Sequence, residues 1–99
     1  MELPQPQAPA QSPSADEAAA EAAAEAEDER RRLRRLQILM NMVMSVISQD
    51  PEMTVEGAAE MAANTRRAAL AMFPGKELAF DLIYKSRLER LMRERFYLQ

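Results

Sequence analysis

An arginine cluster is the part of this sequence best suited to binding a charged ligand. Five guanidinium groups fall within six residues, and such a strip can hold phosphate groups or orient a partner protein. No aromatic side chain stands between them to stack on bases, and an acidic run comes just before them. A solvated helix surface neutralised by that run is therefore the favoured interpretation. The cluster consists of Arg30, Arg31, Arg32, Arg34 and Arg35.

The rest of the amino-acid composition argues against catalysis. The chain contains no histidine and no cysteine, which excludes an imidazole proton shuttle and soft metal sites built from these side chains. Met40, Met42 and Met44 are thioethers, but at i,i+2 spacing on a helix they point to different sides, so packing is favoured over copper binding. We expect no enzymatic activity, no cofactor and no metal site.

Charge divides the chain into two parts. Residues 1–29 hold eight acidic side chains and no basic one, a formal charge of −8, whereas residues 30–99 hold 13 basic and eight acidic side chains, a charge of +5. Their sum gives the net charge of −3. Acidic-before-basic pairs at i,i+4 are expected to continue a helix across the change of sign. These pairs are Glu27 with Arg31 and Asp28 with Arg32.

The acidic part has two segments of different composition. Residues 1–14 are rich in proline, glutamine and alanine and offer almost nothing to bury, so we expect a disordered tail. Ser14 and Glu17 have the spacing of a capping box, which predicts a helix start. Residues 15–32, here called the acidic arm, are mostly alanine and glutamate up to the arginines. These residues favour a helix without an apolar stripe to pack.

The basic part has the punctuation of a small helical bundle. Pro51 ends a first helix, Thr54 is suited to cap a second, and Pro74 with Gly75 forms a tight turn before a third. No segment alternates with a period of two. We therefore predict an all-α chain, a small three-helix bundle at residues 33–99 with a long first helix and a disordered N-terminal arm. The expected helices cover about 33–49, 55–73 and 76–96.

An apolar stripe on the first helix suggests a binding function. Its members follow a 3-4-3-4 spacing, and Leu39, Met42 and Val46 widen it beyond what two short helices need. We therefore expect a non-enzymatic protein–protein interaction or self-association module, and a homodimer is one form of it. The expected anchors are Leu36, Met40, Val43 and Ile47, with Arg31, Arg34 and Arg35 setting orientation at the rim.

The alternative is a nucleic-acid-associated protein. In that hypothesis the basic helical half binds phosphates and the acidic arm masks it. The apolar run 38–47 is too short to cross a membrane. The first residues, 1–4, lack the basic and apolar regions of a secretory signal, so a cytoplasmic location is expected.

Overall fold

The computed structural model describes residues 14–97, and the secondary structure of this part of the chain is helical. The predicted all-α class, with three helices and a long first one, is confirmed. The predicted disordered tail lies, apart from Ser14, outside the described residues. The chain divides into two compact units. The first ends at Arg31 and the second begins at Arg32. The elements are α1 (Ala15–Gln49), α2 (Val55–Met72), α3 (Glu77–Phe80), a π-helical turn (Asp81–Lys85) and α4 (Ser86–Phe96).

In the first unit, α1 begins with the predicted capping box. The Glu17 amide donates to the Ser14 hydroxyl oxygen at 3.2 Å, and the Ser14 amide donates to a Glu17 carboxylate oxygen at 3.4 Å. Of residues 15–31, only Ala26 is partly buried, and the others are exposed. Helix propensity, the cap and local ion pairs therefore stabilise this stretch without a packed face.

In the second unit, apolar side chains from all three helical runs form one core. The largest fully buried side chains are Met40 and Ile47, both on α1. Alanines on α2 let that helix approach closely, and the third helical run contributes one aromatic and one leucine side chain. The buried apolar residues are Leu36, Met40, Val43, Ile47, Ala58, Ala69, Phe80 and Leu88.

Two arginine contacts show how the helices of the second unit run. The guanidinium carbon of Arg32 lies 5.8 Å from the ring centre of Phe73, which places the beginning of this part of α1 beside the end of α2. Arg95 donates to the backbone carbonyl of Asp50 at 3.0 Å, which places the end of α4 beside the end of α1. The chain therefore runs up, down and up through the bundle.

Both connections use the predicted turn chemistry. Thr54 caps α2, its hydroxyl accepting from the Gly57 amide at 2.9 Å. In the second connection, the Lys76 amide donates to the Phe73 carbonyl at 3.3 Å. Gly75 has a φ of +78°, the left-handed conformation that a type II turn requires at its third residue.

The third helical run, residues 77–96, contains a π turn that the sequence did not indicate. Its core-facing residues Phe80, Tyr84 and Leu88 are each four positions apart. In a regular α-helix each four-residue step overshoots a full turn by about 40°. A wider turn with i→i+5 geometry at Asp81–Lys85 accommodates this spacing. The aromatic rings of Phe80 and Tyr84 consequently stay in contact, 5.5 Å apart.

Candidate interaction surface

The four predicted partner anchors lie in the chain's own core. Leu36, Met40, Val43 and Ile47 are all buried against the other helices of the second unit. The periodicity identified a packing face, but α2 and the third helical run already cover it. In the folded chain these four side chains are therefore not on the surface, and their role as partner anchors stays a prediction that requires the bundle to open.

A second apolar stripe on α1 is exposed. Ile38, Met42 and Val46 are spaced four residues apart, which places them on one side of the helix, away from Met40 and Val43. We call these three residues the outer face of α1. Ile38 is 61% exposed and Met42 57% exposed, although both are large apolar side chains. The outer face is therefore apolar surface that no described part of the chain covers.

A groove next to α2 extends this apolar surface. It encloses about 340 Å³, and Leu39 is its contribution from α1. Leu39 is seven residues before Val46, so both lie on the same side of α1 and connect the groove to the outer face. The Thr65 hydroxyl donates to the Met61 carbonyl at 2.7 Å, so its hydrogen bond is satisfied within the helix. The lining residues are Leu39, Gly57, Glu60, Met61, Asn64, Thr65 and Ala68.

Gly57 lines this groove without a side chain. A β-carbon at this position would lie 3.1 Å from the Thr54 hydroxyl oxygen and 3.5 Å from the Met53 sulfur. The first contact is tight, and the same hydroxyl caps α2 by accepting from the Gly57 amide. The missing side chain therefore serves both the helix cap and the shape of the groove.

Part of the arginine cluster is neutralised locally. Arg30 lies 3.0 Å from a Glu27 carboxylate oxygen. Arg31 lies 4.0 Å from Glu27 and 3.7 Å from Asp28. These pairs are all within the first unit, and the Glu27–Arg31 pair was predicted. All of their side chains are well exposed, so each contributes less than about 1 kcal/mol.

The rest of the cluster has other surroundings. In the first unit Asp28 pairs with Arg31, and in the second unit Arg32 lies over the Phe73 ring. Arg34 and Arg35 are exposed, and neither forms an ion pair within residues 14–97. Of the three arginines predicted at the rim, Arg31 is therefore paired within its own helix, and the other two hold their charge beside the outer face.

A second apolar patch lies on the third helical run. Leu78 is 74% exposed and Leu82 70% exposed, and Ile83 adjoins them. The patch surrounds the π turn, which is joined to α2 by a bidentate ion pair. Asp81 accepts from Arg66 at 2.9 Å and 3.1 Å.

This ion pair shifts the pKa values of both its members. The hydrogen bonds from Arg66 hold the pKa of the Asp81 carboxyl below its ordinary value, and the charges of Arg66 and Lys85 lower it further. The same hydrogen bonds raise the pKa of Arg66. Spacing rules do not indicate this pair, because its members are 15 residues apart in the chain. By i,i+4 spacing alone, Lys85 is the expected partner of Asp81.

No group of three or more histidine, cysteine, aspartate or glutamate side chains that could hold a metal ion occurs in residues 14–97. Over the same residues, no helix is both long enough and apolar enough to cross a membrane. The chain matches no protein-family model, no curated protein and no solved structure.

Proposed function

We propose that this protein is a non-enzymatic helical interaction module that binds a protein partner through the outer face of α1 and the adjoining groove. The observation that carries the proposal is the exposure of Ile38 and Met42, 61% and 57%, on a helix whose opposite side already fills the core. A helix that is apolar on two opposite sides buries one side in its own core and the other against a partner. Contiguous exposed apolar surface beside a groove is typical of a helix-binding site.

The physical gain from binding is burial of this surface. Full burial of an isoleucine or methionine side chain contributes about 1.5–3 kcal/mol relative to exposure. Arg34 and Arg35 lie beside the outer face without ion pairs among the described residues, and they suit carboxylates at the edge of a partner. In this arrangement apolar side chains supply affinity, and the two arginines supply orientation.

A pair of matched variants tests the proposal. Ile38→Ser with Met42→Ser removes apolar surface from the outer face, whereas Leu78→Ser with Leu82→Ser removes a similar amount from the patch on the third helical run. All four substituted residues are exposed, so both variants are expected to fold. We expect the first to lose protein binding and the second to keep it.

The measurement is quantitative capture with residues 1–99 as bait, in extract with and without nuclease treatment, at low and at high salt. Apolar contacts are little screened, so binding through the outer face persists at high salt. Equal binding by both variants would contradict the proposal. Capture that disappears with nuclease and with salt would instead favour nucleic-acid binding by the basic half. A cytoplasmic location is part of the proposal, and cell fractionation tests it.

A further inference from the structure

We propose that the partner on the outer face of α1 is the acidic arm of a second copy of this chain, lying antiparallel to it. This inference rests on the proposed function and names its occupant. Two observations carry it: the outer face is apolar with two arginines beside it, and the acidic arm is an exposed helix with alanines and carboxylates. The carboxylates of the acidic arm therefore complement the two arginines, and its small alanines complement the large apolar side chains of the outer face.

The acidic arm presents a suitable face within its own unit. Ala20, Ala24 and Glu27 are spaced four and three residues apart, which places them on one side of the helix. The two alanines are exposed and small, so another helix can approach the backbone closely there. Arg35, Ile38 and Met42 have the matching three- and four-residue spacing in the second unit.

One antiparallel register matches both size and charge. Residues 20–28 of one copy and residues 34–42 of the other can lie antiparallel so that residues whose numbers sum to 62 are level, a register centred on Arg31. Small side chains then meet large ones, and acids meet bases. The level pairs are Ala20 with Met42, Ala24 with Ile38, Glu27 with Arg35 and Asp28 with Arg34, and the twofold symmetry forms each pair twice.

The centre of this register brings the two Arg31 side chains level with each other and Arg30 level with Arg32 of the second copy. Arg30 and Arg31 are already paired with carboxylates of their own chain, 3.0 Å from Glu27 and 3.7 Å from Asp28, which screens them. Arg32 lies over the Phe73 ring of its own chain. Arg34 and Arg35, which form no ion pair within residues 14–97, are the cations that the second copy neutralises.

Other arrangements of two copies fit less well. A parallel, in-register pair places acid level with acid and arginine level with arginine along the whole helix, which is repulsive. An antiparallel pair centred on Met42 brings the two outer faces together, but it places only Arg34 level with a carboxylate, that of Asp50, whereas Arg35 lies level with Gln49. Of these arrangements, the register centred on Arg31 is the one in which Arg34 and Arg35 both lie level with carboxylates.

Charge reversal in the full-length chain tests this register. The acid-reversed variant carries Glu27→Lys with Asp28→Lys, the base-reversed variant carries Arg34→Glu with Arg35→Glu, and a fourth chain carries all four changes. These side chains are exposed, and circular dichroism checks that each variant keeps its helix content. Sedimentation velocity over about 1 to 300 µM chain gives the dimer Kd.

We expect the unaltered chain to dimerise and each single-sided variant to have a Kd raised by at least about tenfold, because like charges then lie opposite each other. An equimolar mixture of the two variants restores the dimer, since positions 27 and 35 and positions 28 and 34 again carry opposite charges across the interface, and so does the chain with all four changes. A mixture that dimerises no better than its components would overturn the register.

A wild-type chain that stays monomeric to about 300 µM would overturn the second copy as occupant. It would leave the proposed function intact, because capture through Ile38 and Met42 is measured separately. Failure of the Ile38→Ser with Met42→Ser variant to weaken either the dimer or protein capture would instead overturn the proposed function itself. The two claims therefore fail by different results.

Discussion

Residues 18–26 and 36–47 lie on the same helix, α1, yet they are helical for different reasons. The first stretch is alanine and glutamate, exposed apart from one partly buried alanine, and starts just after a capping box. The second contains methionine and branched side chains and supplies half of the buried apolar residues of the bundle. Intrinsic propensity accounts for the first, and tertiary burial accounts for the second. One helix can therefore contain two regions with separate determinants of stability.

This comparison predicts where a substitution destabilises the fold. Met40 is 1% exposed and Met42 57% exposed, although they are the same residue type two positions apart. Met40→Ala should lower the free energy of unfolding by about 2–5 kcal/mol because it leaves a cavity. Met42→Ala should change it by no more than about 0.5 kcal/mol. Urea unfolding in dilute solution measures both, and equal losses would mean that α1 is not divided as described.

The two helix caps sharpen the comparison. Thr54 caps α2 inside the bundle and Ser14 caps α1 at the start of the acidic arm. Thr54→Ala should lower the free energy of unfolding by about 0.5–2 kcal/mol, since α2 cannot fray without exposing the core. Ser14→Ala should reduce helical circular dichroism and leave the unfolding midpoint unchanged. A shift of that midpoint in the Ser14 variant would show that the arm unfolds together with the bundle.

The fold can be predicted from the sequence, but not all of the contacts between its helices can. The period of Leu36, Met40, Val43 and Ile47 identified a packing face, because 3-4 spacing is a local property of the chain. Whether the chain itself or a partner covers that face depends on how two other helices fold back, which periodicity does not encode. Ile38 was the missed member of the outer face, although its four-residue spacing to Met42 was a usable signal.

Long-range polar contacts were also beyond sequence reasoning. Arg66 lies on α2 and Asp81 on the third helical run, so their pairing depends on how these two elements pack together. Local i,i+4 spacing favoured Lys85 instead. Similarly, i,i+4 spacing pairs Arg32 with Asp28, but in the structure Arg32 lies over the Phe73 ring. Spacing rules work where the helix is isolated and fail where another element competes.

The smallest expected effect concerns acid stability. Arg66 lowers the pKa of Asp81 in the folded chain, so the pair contributes stability above the unfolded pKa of about 3.9. That contribution is lost as the pH falls through the lower folded pKa. Asp81→Asn should therefore be less stable at neutral pH and should lose stability less steeply below about pH 4. Asp28→Asn, in the acidic arm, is the control that should leave the unfolding transition unchanged.

Thermal unfolding of both variants across a pH series provides the measurement. The result would contradict the assigned role of the ion pair if Asp81→Asn kept the acid slope of the unaltered chain. If Asp28→Asn changed the acid slope equally, the effect would come from the loss of any carboxylate charge and not from the ion pair between α2 and the π turn.

Amide hydrogen exchange along α1 tests the division of this helix most directly. In dilute solution we expect amides of residues 18–29 to exchange through local fraying, and amides of residues 40–47 to exchange only with unfolding of the whole bundle. Raising the chain concentration should slow exchange in residues 18–29, since the acidic arm then lies on the outer face of a second copy. Uniform protection along α1 in dilute solution would contradict the division into two regions.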